Sequence, residues 1–136
     1  MSDINSALAA AASGMRAQTL RMRIAAENVA NANSTGDTPT AEPFRRRIPL
    51  LESTTLADGV QGVRVMGAVP DQSPFRREYN PSHPAADGDG YVRLPNVDTL
   101  VEMMDIRDAT RAYEANLNMV DAARAMTSRA LDLLRR

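Results

Sequence analysis

Apolar positions recur at steps of seven towards both ends of the chain and alternate with polar ones in between. In the last third, Ile106, Tyr113, Val120, Thr127 and Leu134 are seven apart. Ala109, Asn116, Ala123 and Ala130 follow the first four of these by three. This is the a/d seam of a helix that packs on another helix, with Asn116 as a polar d position. No Pro or Gly follows Pro95, and good helix formers dominate. The pattern predicts a helix over 96–136 of roughly 55 Å at about 1.5 Å per residue. Asn96 is the expected N-cap, and Asp98 is placed in the first turn, where the helix dipole favours negative charge. Met119, Met126 and Leu133 widen the apolar face beyond one seam.

A second helix is predicted from residue 2 to about 33. Leu8, Met15, Met22 and Val29 recur at steps of seven, and Ala12, Thr19 and Ala26 lie four after the first three. Ser2 or Asp3 can cap its start. Gly14 weakens its interior by about 1 kcal/mol relative to Ala. Neither helix can hide its apolar stripe alone, so each needs a partner. The expectation is a hairpin within the chain plus further packing between subunits.

Between the helices, turn chemistry fills 34–43. A short strand is expected over 44–51, which Pro49 confines to an edge or a bulge. A turn region follows at 56–59, and a strand over 60–69, where apolar and polar residues alternate. A third strand is expected over 75–79, and an ordered loop over 80–95. The fold class is mainly α: two long terminal helices forming a coiled-coil hairpin, with a small β-containing insert between them. The segments are 1–35, 36–95 and 96–136.

Composition narrows the function. The 136 residues hold two Phe, three Tyr and no Trp, so small residues and Met must do the packing. No cysteine is present, which excludes disulfides and thiolate metal sites. The net charge of −1 argues against general nucleic-acid binding. All 16 cationic side chains are Arg, which suits interfacial ion pairs. No apolar run is long enough to span a membrane. The first residues lack the basic and apolar regions of a cleaved signal, so export would take another route.

No catalytic set emerges. His83 stands alone and reads as a loop hydrogen-bonding group, and the Asp87 to Gly90 run reads as a turn. Phosphate-loop, nucleophile-elbow and dinucleotide signatures are missing. Asp105 and Asp108 share a helix face and read as a solvated face or ion-pair partners. Arg45, Arg46 and Arg47 read as a subunit contact or solvated edge, because alternate strand residues point opposite ways. No enzyme, cofactor or metal is expected.

Two stretches resemble a known family. A-A-E-N-V-A-N-A-N-S-T-G over 25–36 resembles the N-terminal signature of the bacterial flagellar rod and hook axial proteins. E-M-M-D-I-R-D-A-T-R-A-Y-E-A-N over 102–116 resembles their C-terminal motif. The loop N-P-S-H-P-A-A-D over 80–87, with G-Y-V at 90–92 and P-N-V at 95–97, is similar to the proximal-rod branch. Asp37 follows Gly36 where the family often has an aromatic, which argues against a hook or distal-rod member.

The resemblance implies a structural subunit of the proximal rod of the flagellar basal body, transmitting torque and lining the export channel. It implies a periplasmic rod subunit exported uncleaved by the flagellar type III apparatus. The implied partners are copies of itself, other rod proteins, and membrane-ring or export-gate adaptor proteins at the rod base. Leu8, Met15, Met22 and Val29 are expected to pack with Ile106, Tyr113, Val120 and Leu134, within and between subunits. Asn28 and Asn31 would form the signature turn, and Asn116 would fix register. Arg107, Arg111 and Arg124 would pair between helices with Asp105, Glu114 and Asp121. A cytoplasmic coiled-coil adaptor or chaperone is the alternative, and a small enzyme using the acidic residues near Asp87 and Asp105 is a third class.

Overall fold

The computed structural model describes residues 2–57 and 59–136. Helix α1 (Ser2–Ala30) and helix α2 (Thr99–Leu134) flank two antiparallel ribbons in chain order. One ribbon pairs β1 (Arg47–Thr55) with β2 (Gln61–Pro70). The other pairs β3 (Arg76–Tyr79) with β4 (Tyr91–Leu94). The two-helix fold class with its small β insert therefore holds.

The helices run antiparallel. Asn28 meets Glu102, Met22 meets Thr110, and Gly14 meets Asn116. The α2 positions turned to α1 are Glu102, Ile106, Ala109, Tyr113, Asn116, Val120 and Ala123, all buried or half-buried. Their 4-3 spacing is the seam read from the sequence. A Cβ on Gly14 would stand 2.8 Å from the Asn116 Nδ2. The glycine that looked like a helix defect is thus the notch that admits a polar seam residue.

The most buried face of α1 is not the seven-step stripe. Ala17, Leu20 and Ile24 are buried, whereas Leu8, Met15, Met22 and Val29 are half-buried. The cause is a second neighbour: α1 packs against the β1–β2 ribbon in addition to α2. Ser13 accepts the Val63 N–H at 3.2 Å on that side. One heptad stripe describes a helix with one partner, and α1 has two.

Several boundaries differ from expectation. The first strand runs over Arg47–Thr55 rather than 44–51, because the backbone at 44–46 is bonded outside the ribbon while 52–55 find partners at 61–64. Pro49 sits in this two-edged ribbon beside a register shift between Leu50 and Leu51. The expected loop over 80–95 ends in β4. Gly90, at φ +85°, reverses the chain, and Asp87 accepts the Tyr91 N–H at 2.9 Å, which lays Tyr91 opposite Tyr79. The α2 N-cap is Asp98, whose side chain accepts from the Leu100 N–H, not Asn96. Met1, in the expected first segment, and Asp58, in the expected turn over 56–59, lie outside the described residues.

Ile24, only 3% exposed, lies beside Leu20, Gly67 and Ala68 where α1 meets the β1–β2 ribbon. Ile24→Ala should lower the urea stability of the isolated chain by about 2–5 kcal/mol. Met119→Ala, on the open side of α2, should stay within roughly 0.5 kcal/mol.

Candidate functional site

Two features of the surface and interior stand out: a polar joint where the insert meets the helices, and an open apolar stripe along α2.

The joint is built on Glu102. It is 1% exposed, the most deeply buried acid among the described residues. Burying a carboxylate is costly unless it is paired and hydrogen-bonded. Both conditions are met: the Arg46 Nε donates to one carboxylate oxygen, and the Asn28 Nδ2 donates to the other at 3.2 Å. Arg46 also reaches Asp71 at 3.2 Å and the half-exposed Asp105 at 3.7 Å. Burial works against the Arg46 charge, but the hydrogen bonds and opposite charges of Glu102 and Asp71 outweigh it and raise its pKa. The Asp71 carboxyl is held below the usual carboxylate range, chiefly by the Ser73 N–H, with the Ser73 hydroxyl and Arg46 adding to this.

Two asparagines complete the joint. Asn28, at the end of α1, takes the Arg47 N–H at 3.0 Å and gives to the Arg47 carbonyl at 2.9 Å. Its amide acts as a neighbouring strand would. Asn96, just before α2, accepts the Arg46 N–H at 2.7 Å and donates to the carbonyls of Asp71 and Ser73. The Asp71 N–H binds the Arg46 carbonyl at 2.8 Å. All four backbone polar groups of Arg46 and Arg47 are thereby satisfied.

The three successive arginines each find a partner within the chain, which strand alternation alone did not specify. Arg45 lies over the Phe75 ring, Arg46 enters the joint, and Arg47 pairs with Glu27 at 3.0 Å. Residue type and strand alternation could not name these partners, because they arrive from 20 to 56 positions away.

Asn31 closes the end of α1, donating to the Glu27 carbonyl and accepting from the Ser34 hydroxyl. His83 accepts the Ala85 N–H on Nδ1 and approaches the Thr35 hydroxyl at 3.4 Å through Nε2. Arg107, Arg111, Glu114, Asp121 and Arg124 make no ion pair among the described residues. Leu134 is 84% exposed and does not join the pairing of α1 with α2.

The second feature lies about a third of the way round α2 from the covered seam, at 3.6 residues per turn. Ala112, Ala115, Met119, Ala122, Met126 and Leu133 fall there at steps of three, four and seven. Met119 is 53% and Met126 58% exposed. These residues therefore form a separate stripe, not a widening of the first. Leu100, Met103 and Met104 extend the exposed apolar surface at the other end of α2. No group of acids and histidines able to hold a metal occurs among the described residues.

The chain matches the family described as "Flagellar basal body rod FlgEFG protein C-terminal" over residues 89–133. It is 43% identical over 136 residues to the flagellar basal-body rod protein FlgC of Agrobacterium fabrum, covering 99% of this chain and 98% of that one. The FlgC of Aquifex aeolicus is 40% identical over 97% of this chain and 98% of its own length. The FlgC of Salmonella typhimurium is 35% identical over 90% and 92%.

Two outcomes are expected at the joint. Arg46→Ala strands the buried Glu102 carboxylate and should cost about 3–5 kcal/mol in urea unfolding. Adding Glu102→Leu should recover part of that loss; a further loss on adding it would contradict the role of the pair. The Asp87 carboxyl is also held low, first by the Tyr91 N–H and then by that of Asp89 and by Arg77. Since Asp71 and Asp87 have lowered folded pKa values, their stabilisation is present above the unfolded value near ~3.9 and lost as pH falls through the folded values. The urea midpoint should therefore drop below about pH 4, and Asp71→Asn should flatten the drop.

Proposed function

The chain belongs to the FlgC family of flagellar basal-body rod proteins, and from that premise we propose how it builds the rod. The family is structural, not enzymatic. The observation that carries the proposal is the open stripe of α2. A helix already paired along one seam, with Met119, Met126 and Leu133 left exposed on another, has a surface suited to a second helix. That second helix belongs to a neighbouring axial subunit.

Residues 1–35 and 96–136 act as one inner unit, and 36–95 as an outward insert. Helix pairs of successive subunits pack side by side into a tube that surrounds the export channel. Its torsional stiffness carries torque. Leu8, Met15, Met22 and Val29, together with Ile106, Tyr113 and Val120, hold the helix pair and add contacts at its flanks. The partial exposure of all of these but the buried Val120 supports this double use. Leu134 meets a neighbour. Asn116, seated against Gly14, fixes the register of the pair.

Arg107, Arg111 and Arg124, with Glu114 and Asp121, make their ion pairs between subunits, in keeping with their having no ion pair among the described residues. Asn28 and Asn31 form the signature turn that couples α1 to the insert. Export runs through the flagellar type III apparatus without cleavage of a signal, and the subunit works in the periplasmic part of the rod. Copies of the chain, other rod proteins and adaptor proteins at the rod base are its neighbours.

Met119→Glu with Met126→Glu tests this reading. Both side chains are exposed in the single chain, so its circular dichroism and urea midpoint should hold. The variant should be exported yet missing from isolated basal bodies, and cells relying on it should not swim. Normal rods and motility would overturn the role of the stripe.

A further inference from the structure

The chain has few aromatic residues: two Phe and three Tyr in all. Three of the five gather on one side of the β3–β4 ribbon. Tyr79 and Tyr91 stand opposite each other in the ladder with rings 5.4 Å apart, edge to face, and Phe75 precedes β3. Arginines interleave with them. The Arg45 guanidinium carbon is 4.2 Å and that of Arg93 5.7 Å from the Phe75 ring centre; that of Arg77 is 4.7 Å from the Tyr91 ring centre.

Two properties of this face make little sense for an isolated subunit. Arg77 and Arg93 are direct partners across the ladder, and like charges so placed destabilise a sheet. Tyr79 is 64% exposed in a chain that can spare little aromatic surface for its core. The charges are also incompletely answered. Arg77 has Asp87 at 3.3 Å. Arg45 is held by the carbonyls of Asp71 and Ser73, and Arg93 by that of Ala41. Neither Arg45 nor Arg93 has a carboxylate partner among the described residues. Carbonyls orient a guanidinium without cancelling its charge.

We infer that this arginine–aromatic face is the insert's docking surface for an acidic segment of a neighbouring axial subunit. Tyr79 and Tyr91 supply the area that becomes buried, and Arg45 and Arg93 receive carboxylates. Arg and Tyr dominate the energetics of protein interfaces when desolvated at their centre. Arg offers a carboxylate two parallel donors, and the carbonyl anchors fix the fork beforehand. A protein partner is favoured over nucleic acid because the whole chain is net negative, and Asp87 and Glu78 belong to the same ribbon region. The inference rests on the rod reading, since only an assembled subunit has neighbours close enough to cover the insert.

The test replaces the chromosomal copy with variants and measures the chain in isolated basal bodies by immunoblot, alongside motility and the circular dichroism of the purified variant. Tyr79→Ala and Arg93→Glu should each reduce incorporation about tenfold or more with unchanged dichroism. Arg93→Lys, which keeps the charge, should fall between Arg93→Glu and the parent. A photo-crosslinking residue at position 79 should label an Asp- or Glu-rich peptide of an axial protein in assembled rods. Normal incorporation of Tyr79→Ala and Arg93→Glu would overturn the inference while leaving the rod reading intact. Labelling of a neutral or basic peptide, of nucleic acid, or of nothing would overturn it likewise. Absence of the unsubstituted chain from basal bodies would overturn the rod reading itself, and this inference with it.

Discussion

A buried carboxylate organises this molecule. Glu102 belongs to the seam of α2 where an apolar residue would ordinarily sit, and its charge dictates what surrounds it. Arg46 must come in from the insert, Asn28 must end α1 nearby, and Asp71 and Asp105 then settle around the arginine. Such pairs are weak as net stabilisers but severe in their demands, since losing one partner leaves the other uncompensated. The consequence is specificity of arrangement. Apolar stripes alone would let α1 and α2 slide by a heptad. A single acid that must find one amide and one guanidinium leaves one alignment, and the notch of Gly14 against Asn116 repeats the constraint about halfway along the pair.

The two helices divide their surfaces differently. α1 is covered on two sides, by α2 and by the β1–β2 ribbon, which is why Leu20 and Ile24 are deeply buried while its seven-step stripe is only half-covered. α2 touches no strand, and much of its apolar surface faces outward. Within one chain α1 is nearly finished as a packed element and α2 is not. That asymmetry suits a subunit whose outer helix face is completed by others.

The sequence was informative where periodicity is long and the chemistry local. The α2 seam from Ile106 to Val120 follows directly from spacing, as do the two helices and the alternating strand at β2. It was silent where partners are remote. Leu20 and Ile24 have a perfectly regular spacing with Ala17, but a helix with two such faces looks, from spacing alone, like one helix with a vague stripe. Glu102 reads as an ordinary helix-surface acid until Arg46 is placed beside it. Asn96 looks like a cap because caps are made by asparagines; that its amide is committed to Arg46, Asp71 and Ser73 depends on a loop that no local pattern reveals. β4 escaped notice because four residues cannot establish an alternation, and its position depends on Gly90 and Asp87 rather than on its own side chains.

The clamp on Arg46 and Arg47 has a mechanical meaning. Asn28 grips this dipeptide from the end of α1, while Asn96 and Glu102 grip it from the start of α2. A pull on the insert therefore loads both helices in parallel instead of peeling one away from the other. Bonds arranged to share a load must fail together, whereas bonds loaded in sequence fail one at a time. The joint is a rivet through two plates, and the tongue of chain between them cannot be unzipped from either side first.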